Sequence, residues 1–252
     1  MPDTLGWRAK FAVITPAGNT VVQPEYDAMR PVGVTNHVFR IGMPNMASWS
    51  ADSDMTFLVD QLDKNIEAAV DEAVLCEPDH LVLGISIESV WRGGDSAAVA
   101  LKERIEGRAG GRLRVTQATD ALAAALAAYD VHGPVAVIDP YFPVGEADVR
   151  GFMESIGHPV DAFHHLETPR PTGIAEVPVA TMAAALRDLA DRDVVAVVQF
   201  GANLPMMRLA ADAERVLGKP IIAINAATYW HALRTNGIDD KVSGCGRLLE
   251  AF

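Results

Sequence analysis

Residues 11–16 read FAVITP and residues 135–140 read VAVIDP; residues 80–86 read HLVLGIS and residues 194–203 read VVAVVQFGAN. A third pair follows in the same order, LRVTQATDALAAAL at residues 113–126 and PIIAINAATYWHAL at residues 220–233. Each member is a short β-branched apolar run that ends in small or polar residues and leads into the next segment. Continuous rather than alternating apolar runs belong to parallel strands covered on both faces. Three matched elements in one order indicate a duplicated unit.

Working outward, further strands are expected at residues 37–41 and 162–166. Helices are expected at residues 54–75, 118–128, 144–156, 176–189, 205–217 and 226–235. Alternation of strand and helix gives an α/β fold of two similar doubly wound parallel-sheet halves, related by pseudo-twofold symmetry, with right-handed crossovers. The expected division puts residues 1–117 with 227–252 in one lobe and residues 118–226 in the other. Ligands of such sheets sit at the carboxyl ends of the strands. If the halves face each other, six loops converge on one cleft: residues 15–20, 84–89, 118–120, 139–144, 200–204 and 225–228.

Composition narrows the function. The 252 residues are half hydrophobic and carry a formal net charge of −12, which disfavours a nucleic-acid partner. Residues 1–10 are polar and mixed, and no apolar run reaches the roughly 18 residues of a membrane span. A cytoplasmic protein without a membrane partner is therefore expected, with homo-oligomerisation left open. Two cysteines, Cys76 and Cys245, make no disulfide framework. No metal is expected, because the one adjacent histidine pair, His164–His165, lies on a strand whose successive side chains point to opposite faces.

The loops carry the chemistry. In TPAGNT, residues 15–20, Gly18 allows an unusual turn. Asn19 either helps cradle a carboxylate or caps only its own helix. GISIES, residues 84–89, brings Gly84, Ile85, Ser86 and Glu88 to the end of the most apolar strand of the first half, and FGANL, with Phe200, Gly201, Ala202 and Asn203, is its counterpart. DPYFP, residues 139–143, presents Tyr141 on a backbone stiffened by two prolines. Glu88 beside Ile87 and Val90 is a general acid if buried, or else a helix cap or a partner of Arg92. Asp139 and Glu146 are weaker candidates for the same work. His231, Met206 and Met207 are expected to be packing residues.

As an ordered set, TPAGNT, GIS before Trp91-Arg92-Gly93, Pro140-Tyr141, FGANL, and AATYW before a terminal GCGRL resemble the maleate isomerase and arylmalonate decarboxylase branch of the aspartate/glutamate racemase superfamily. The resemblance runs from Phe11 to Leu249 and implies a cofactor-free enzyme with a small carboxylic acid bound between two lobes. It also implies a cysteine at the loop end of the third strand of one or both halves. Those positions fall on Gly84 and Phe200, and neither is cysteine. Asn19, Ser86 and Tyr141 match carboxylate-binding positions, whereas Glu146 replaces an expected asparagine. Cys76 is expected at the base of a strand and Cys245 in a terminal turn, both away from the chemistry. Decarboxylation, with Glu88 supplying the proton and Ser86, Tyr141 and backbone amides holding the enediolate, is the leading expectation. Isomerisation, hydration or hydrolysis through Glu88 and a water is the alternative, followed by a non-catalytic acid binder.

Overall fold

In the computed structural model, residues 3–49 and 52–252 are described, and their strands form two four-stranded, all-parallel sheets. The first holds β1 (Ala9–Pro16), β2 (Val34–Ile41), β3 (His80–Leu83) and β4 (Val115–Thr116) in the order β2-β1-β3-β4. The second holds β5 (Val135–Asp139), β6 (Val160–His165), β7 (Ala196–Gln199) and β8 (Ile221–Ala223) in the order β6-β5-β7-β8. The orders correspond strand for strand, so the repeats in the sequence are repeats in space. β3, β5 and β7 are buried along their whole length, as their unbroken apolar runs require.

The helices are α1 (Val22–Met29), α2 (Asp52–Ala73), α3 (Gly94–Arg108), α4 (Ala118–Ala128), α5 (Glu146–Ser155), α6 (Val179–Ala190), α7 (Met207–Leu217), α8 (Ile224–Thr235) and α9 (Arg247–Ala251). The expected helices are present, with ends shifted by up to three residues. Of those absent from the sequence reading, α1 is only two turns long and carries Pro24 in its first turn, and α3 starts at a glycine pair whose second member has φ +52°.

Five strands stop earlier than their apolar runs. Gly84 still donates its N–H to Ile14, at 2.8 Å, but the chain then leaves the sheet and turns through a 3-10 segment at Ile87–Ser89. Gly84, Ile85 and Ser86 are thereby freed from strand pairing and placed at the sheet end.

α8 follows the second sheet yet packs on the first, against α1, β3 and β4, and also along α4. Nine of its twelve residues are buried. Tyr229 anchors it: its ring lies 5.9 Å from Phe11 edge-on and 4.8 Å from Tyr26, and its hydroxyl donates to Asn36 Oδ1 at 3.0 Å. Such aromatic pairs contribute about 0.5–1.5 kcal/mol each beyond area burial. α8 thus rests on elements of the first sheet while its longest seam runs along α4. No helix among the described residues is long and apolar enough to cross a membrane.

Candidate active site

The tips of β1, β3, β5 and β7 meet at a cleft of about 510 Å³, mouth included. The loops after β4 and β8, expected to join them, do not line it. The helices they lead into, α4 and α8, pack on one another. Residues after β2 and β6 line the cleft instead, among them Met43, Trp49, Pro171 and Ile174, and α2 adds Met55, Leu58, Val59 and Leu62. The sequence reading missed this wall. Its signal was the density of methionine and tryptophan between residues 43 and 55, just past a strand end.

At the β1 tip, Asn19 Oδ1 accepts the N–H groups of Val21 and Val22, both at 2.9 Å. The side-chain carbonyl therefore caps α1. Its NH₂ is the half that remains for a ligand, since two backbone donors fix the orientation of the amide. Asn19 lines the cleft and is almost fully buried.

At the β3 tip, Thr15 Oγ1 donates to the Gly84 carbonyl at 2.9 Å. A Cβ on Gly84 would stand 2.7 Å from Val22 Cγ1 and 3.1 Å from Thr15 Cβ. The missing thiol is thus a filled space. Ser86 is fully buried, and its Oγ accepts Gly201 N at 3.0 Å and Ala202 N at 3.3 Å, with Tyr141 Oη 3.4 Å away. Two amide donors polarise this hydroxyl and leave its own proton to be donated. Glu88 Oε2 accepts the Ser86 N–H at 2.9 Å. Glu88 neither caps α3 nor pairs with Arg92, whose guanidinium reaches Asp60 instead. Glu88 retains some accessibility through the cleft, yet burial pushes its carboxyl above the ordinary range, against hydrogen bonds that lower it.

At the β5 tip, Tyr141 is buried, edge-on to Trp49 with ring centroids 6.2 Å apart. Burial, then the nearby Glu88 charge, push its phenol well above the usual value, so it stays a neutral O–H donor. Asp139 and Glu146 do not line the cleft; both turn to His165.

At the β7 tip the four expected residues separate. Ala202 and Asn203 line the cleft, whereas Phe200 and Gly201 do not. Phe200 is core, 1% exposed, its side chain buried rather than facing the cleft. Gly201 acts through its backbone: it has φ +100°, and a Cβ would sit 2.5 Å from Pro140 Cδ. Asn203 is largely spent on bridging the halves, its Oδ1 accepting Thr20 N at 2.9 Å and its Nδ2 donating to the Pro171 carbonyl at 3.3 Å.

No cysteine lines the cleft. Cys76 is half-buried in the turn after α2, its Sγ 3.2 Å from the Ala73 carbonyl, and Cys245 is buried near the C-terminus. Burial raises both thiols, which makes them less nucleophilic at neutral pH. His231 shares Thr116 Oγ1 with His80, and Met206 and Met207 are core. Among the described residues no group of three His, Cys, Asp or Glu could hold a metal ion.

A family model described as arylmalonate decarboxylase matches residues 60–249. The maleate isomerase of Nocardia farcinica is 29% identical over 142 residues, a stretch that spans only 56% of each chain. A variant of the Nocardia farcinica maleate cis-trans isomerase, solved with a covalently bound succinylcysteine intermediate, superposes with a TM-score of 0.84 at 23% identity, covering 96% of this chain and 98% of that one. A crystal structure of arylmalonate decarboxylase superposes at 0.74 with 18% identity, covering 95% and 98%. Both show the same pair of α/β halves.

Proposed function

The chain belongs to the arylmalonate decarboxylase family, and from that premise we propose that it is an acid–base enzyme acting on the carbon next to a carboxylate of a small organic acid. The observation that carries the reading is Glu88: a buried carboxyl with a raised pKa, on the wall of the cleft, tied through Ser86 to a set of hydrogen-bond donors. The substrate carboxylate would take hydrogen bonds from Ser86 Oγ, Tyr141 Oη and the Asn19 amide. As negative charge moves onto its oxygens in an enediolate, donors already oriented by Gly201, Ala202 and Trp49 stabilise it without reorganising. Glu88 exchanges the proton at carbon. Met43, Met55, Leu58 and Ile174 take the substrate's apolar group and exclude water.

Two reactions fit this machinery. In the isomerase sense Glu88 removes a proton and returns it to the same skeleton. We rank an isomerase outcome ahead of the decarboxylation that the sequence alone favoured, because of the similarity to maleate isomerase. The succinylcysteine route of that relative is not available here, because Gly84 and Phe200 leave no thiol in the cleft. In the lyase sense carbon dioxide leaves first and Glu88 only donates, a reading supported by the family model's description.

The test is product analysis by NMR in D₂O with a panel of maleate analogues and aryl- and alkyl-malonates. Deuterium gained at the α-carbon without loss of mass supports isomerisation; release of carbon dioxide supports the lyase sense. Tight binding without turnover of any member would make the protein a binder and remove the catalytic assignment of Glu88.

A further inference from the structure

β5 and β6 end side by side, and their register pairs Asp139 with His165 directly. His165 Nδ1 lies 3.1 Å from both carboxylate oxygens of Asp139, and Nε2 lies 3.3 Å from Glu146 Oε2. Glu146 stands where the family resemblance expects asparagine, and His165 is what it meets. Its second oxygen pairs with Arg150 at 2.7 Å. Phe163 stacks flat on the imidazole, with centroids 5.4 Å apart and 15° between the planes.

The other end of this cluster reaches the active site. Asp139 Oδ1, besides facing His165, accepts the Tyr141 N–H at 2.9 Å. The segment that leaves His165 closes on the same turn: Leu166 N donates to the Asp139 carbonyl at 2.8 Å, and Thr168 donates to the Pro140 carbonyl from N at 3.0 Å and from Oγ1 at 2.9 Å. The Thr168 carbonyl then accepts the Trp49 indole N–H. Tyr141 is thus tied through its N–H to the buried Asp139 carboxylate, and its aromatic neighbour Trp49 is tied through Thr168 to the carbonyl of Pro140 in the same turn.

We propose that His165, bracketed by Asp139 and Glu146, is a positioning residue that holds the Tyr141 turn and so sets the Tyr141 hydroxyl against Ser86. It does not line the cleft. Both imidazole nitrogens face carboxylate oxygens, so only the doubly protonated ring donates to both. The Asp139 hydrogen bond, with the charges of Asp139 and Glu146, raises the His165 pKa against burial. Asp139 itself is raised by burial while His165 opposes that rise. The charged groups that face the imidazole are Asp139 from β5 and Glu146 from α5, the latter balanced by Arg150. Beyond Asp139 lie Tyr141 and Glu88. Because the folded pKa is raised, the clamp is complete below the ordinary histidine value and is lost as pH rises through the folded one.

The kinetic part of the test rests on the acid–base reading above; the structural part does not. His165→Gln and His165→Phe are made in the full chain, and the crystal structure and steady-state kinetics of each are determined. The expected outcome is a Tyr141 hydroxyl withdrawn from Ser86 and a kcat lowered by about 10- to 100-fold with KM little changed, the scale of a misplaced catalytic group. Wild-type kcat should show an alkaline decline that the Gln variant lacks, over and above any pH dependence that Glu88 gives to both. If the Phe variant does not fold, the Gln variant carries both readouts. Tyr141 unmoved in the variant structures, or a lower Tm with kcat and its pH profile intact, overturns the proposal. If the wild type turns over no acid of the panel, the acid–base reading falls, and the position of Tyr141 alone decides the role of His165.

Discussion

At the tip of β3 the chain offers side-chain oxygen, from Ser86 and Glu88; at the equivalent tip of β7 it offers backbone N–H, from Gly201 and Ala202. The two tips meet at one atom, Ser86 Oγ. A duplicated strand end has split its work: one copy supplies groups that can donate or exchange protons, and the other supplies fixed dipoles that hold them. The split also explains the empty cysteine positions. Gly84 lacks space because Val22 and Thr15 occupy it, and Phe200 has turned its position into core. The tips of β1 and β5 diverge in the same way, with Asn19 capping its own helix and Tyr141 delivered into the cleft.

The sharpest way to break the comparison is to disarm one tip. Glu88→Gln should lower kcat by about 100-fold or more on any acid the enzyme accepts, the range of general acid–base catalysis, while calorimetric affinity and Tm change little. Activity near wild type would move the proton chemistry elsewhere. A smaller effect is expected from giving the β3 tip the thiol that the family resemblance implies. Gly84→Cys forces a Cβ to within 2.7 Å of Val22 and should cost about 1–3 kcal/mol in denaturant unfolding, without labelling by a thiol reagent at rates expected of an open cleft. An unstrained, rapidly labelled cysteine would show that the glycine is not required by packing.

A further effect is expected at the seam between the halves. Glu25 on α1 accepts Met207 N at 3.0 Å, at the start of α7, and Asn225 Nδ2 at 2.7 Å on α8. Burial raises its pKa to about 7, against those hydrogen bonds. A carboxyl raised in the folded state stabilises most when protonated, so its contribution is complete below about pH 4.5 and is lost as pH approaches 7. Between pH 5 and pH 8 the wild type should lose up to about 3 kcal/mol relative to Glu25→Gln in urea titrations, from the shift of some two units. Parallel pH profiles for the two proteins would remove Glu25 from the seam's titration.

How far the site was legible follows from the range of each interaction. The duplicated strands declare themselves because burial on both faces imposes a local pattern on every residue. Asn19, Gly84, Ile85, Ser86, Glu88, Tyr141, Ala202 and Asn203 sit at predicted strand ends and do line the cleft. Phe200 and Gly201 were misplaced because a strand-end position does not say which way a side chain turns, and here the ring turned inward. The His165 bracket was invisible for a related reason. Which of two adjacent histidines faces a carboxylate depends on the register of β5 against β6, a property of two strands and not of either run. The apolar wall from α2 was missed because its residues read equally well as one face of a buried helix.

α8 carries one more consequence. It is encoded after the second sheet but covers β3 and β4 of the first, with Tyr229 seated between Phe11 and Tyr26. On a ribosome, then, the opening half of the polypeptide emerges without its own covering and must wait, partly bare, for residues made more than a hundred codons later. The order of synthesis and the order of completion are out of step, and the first lobe to be translated is the last to be finished.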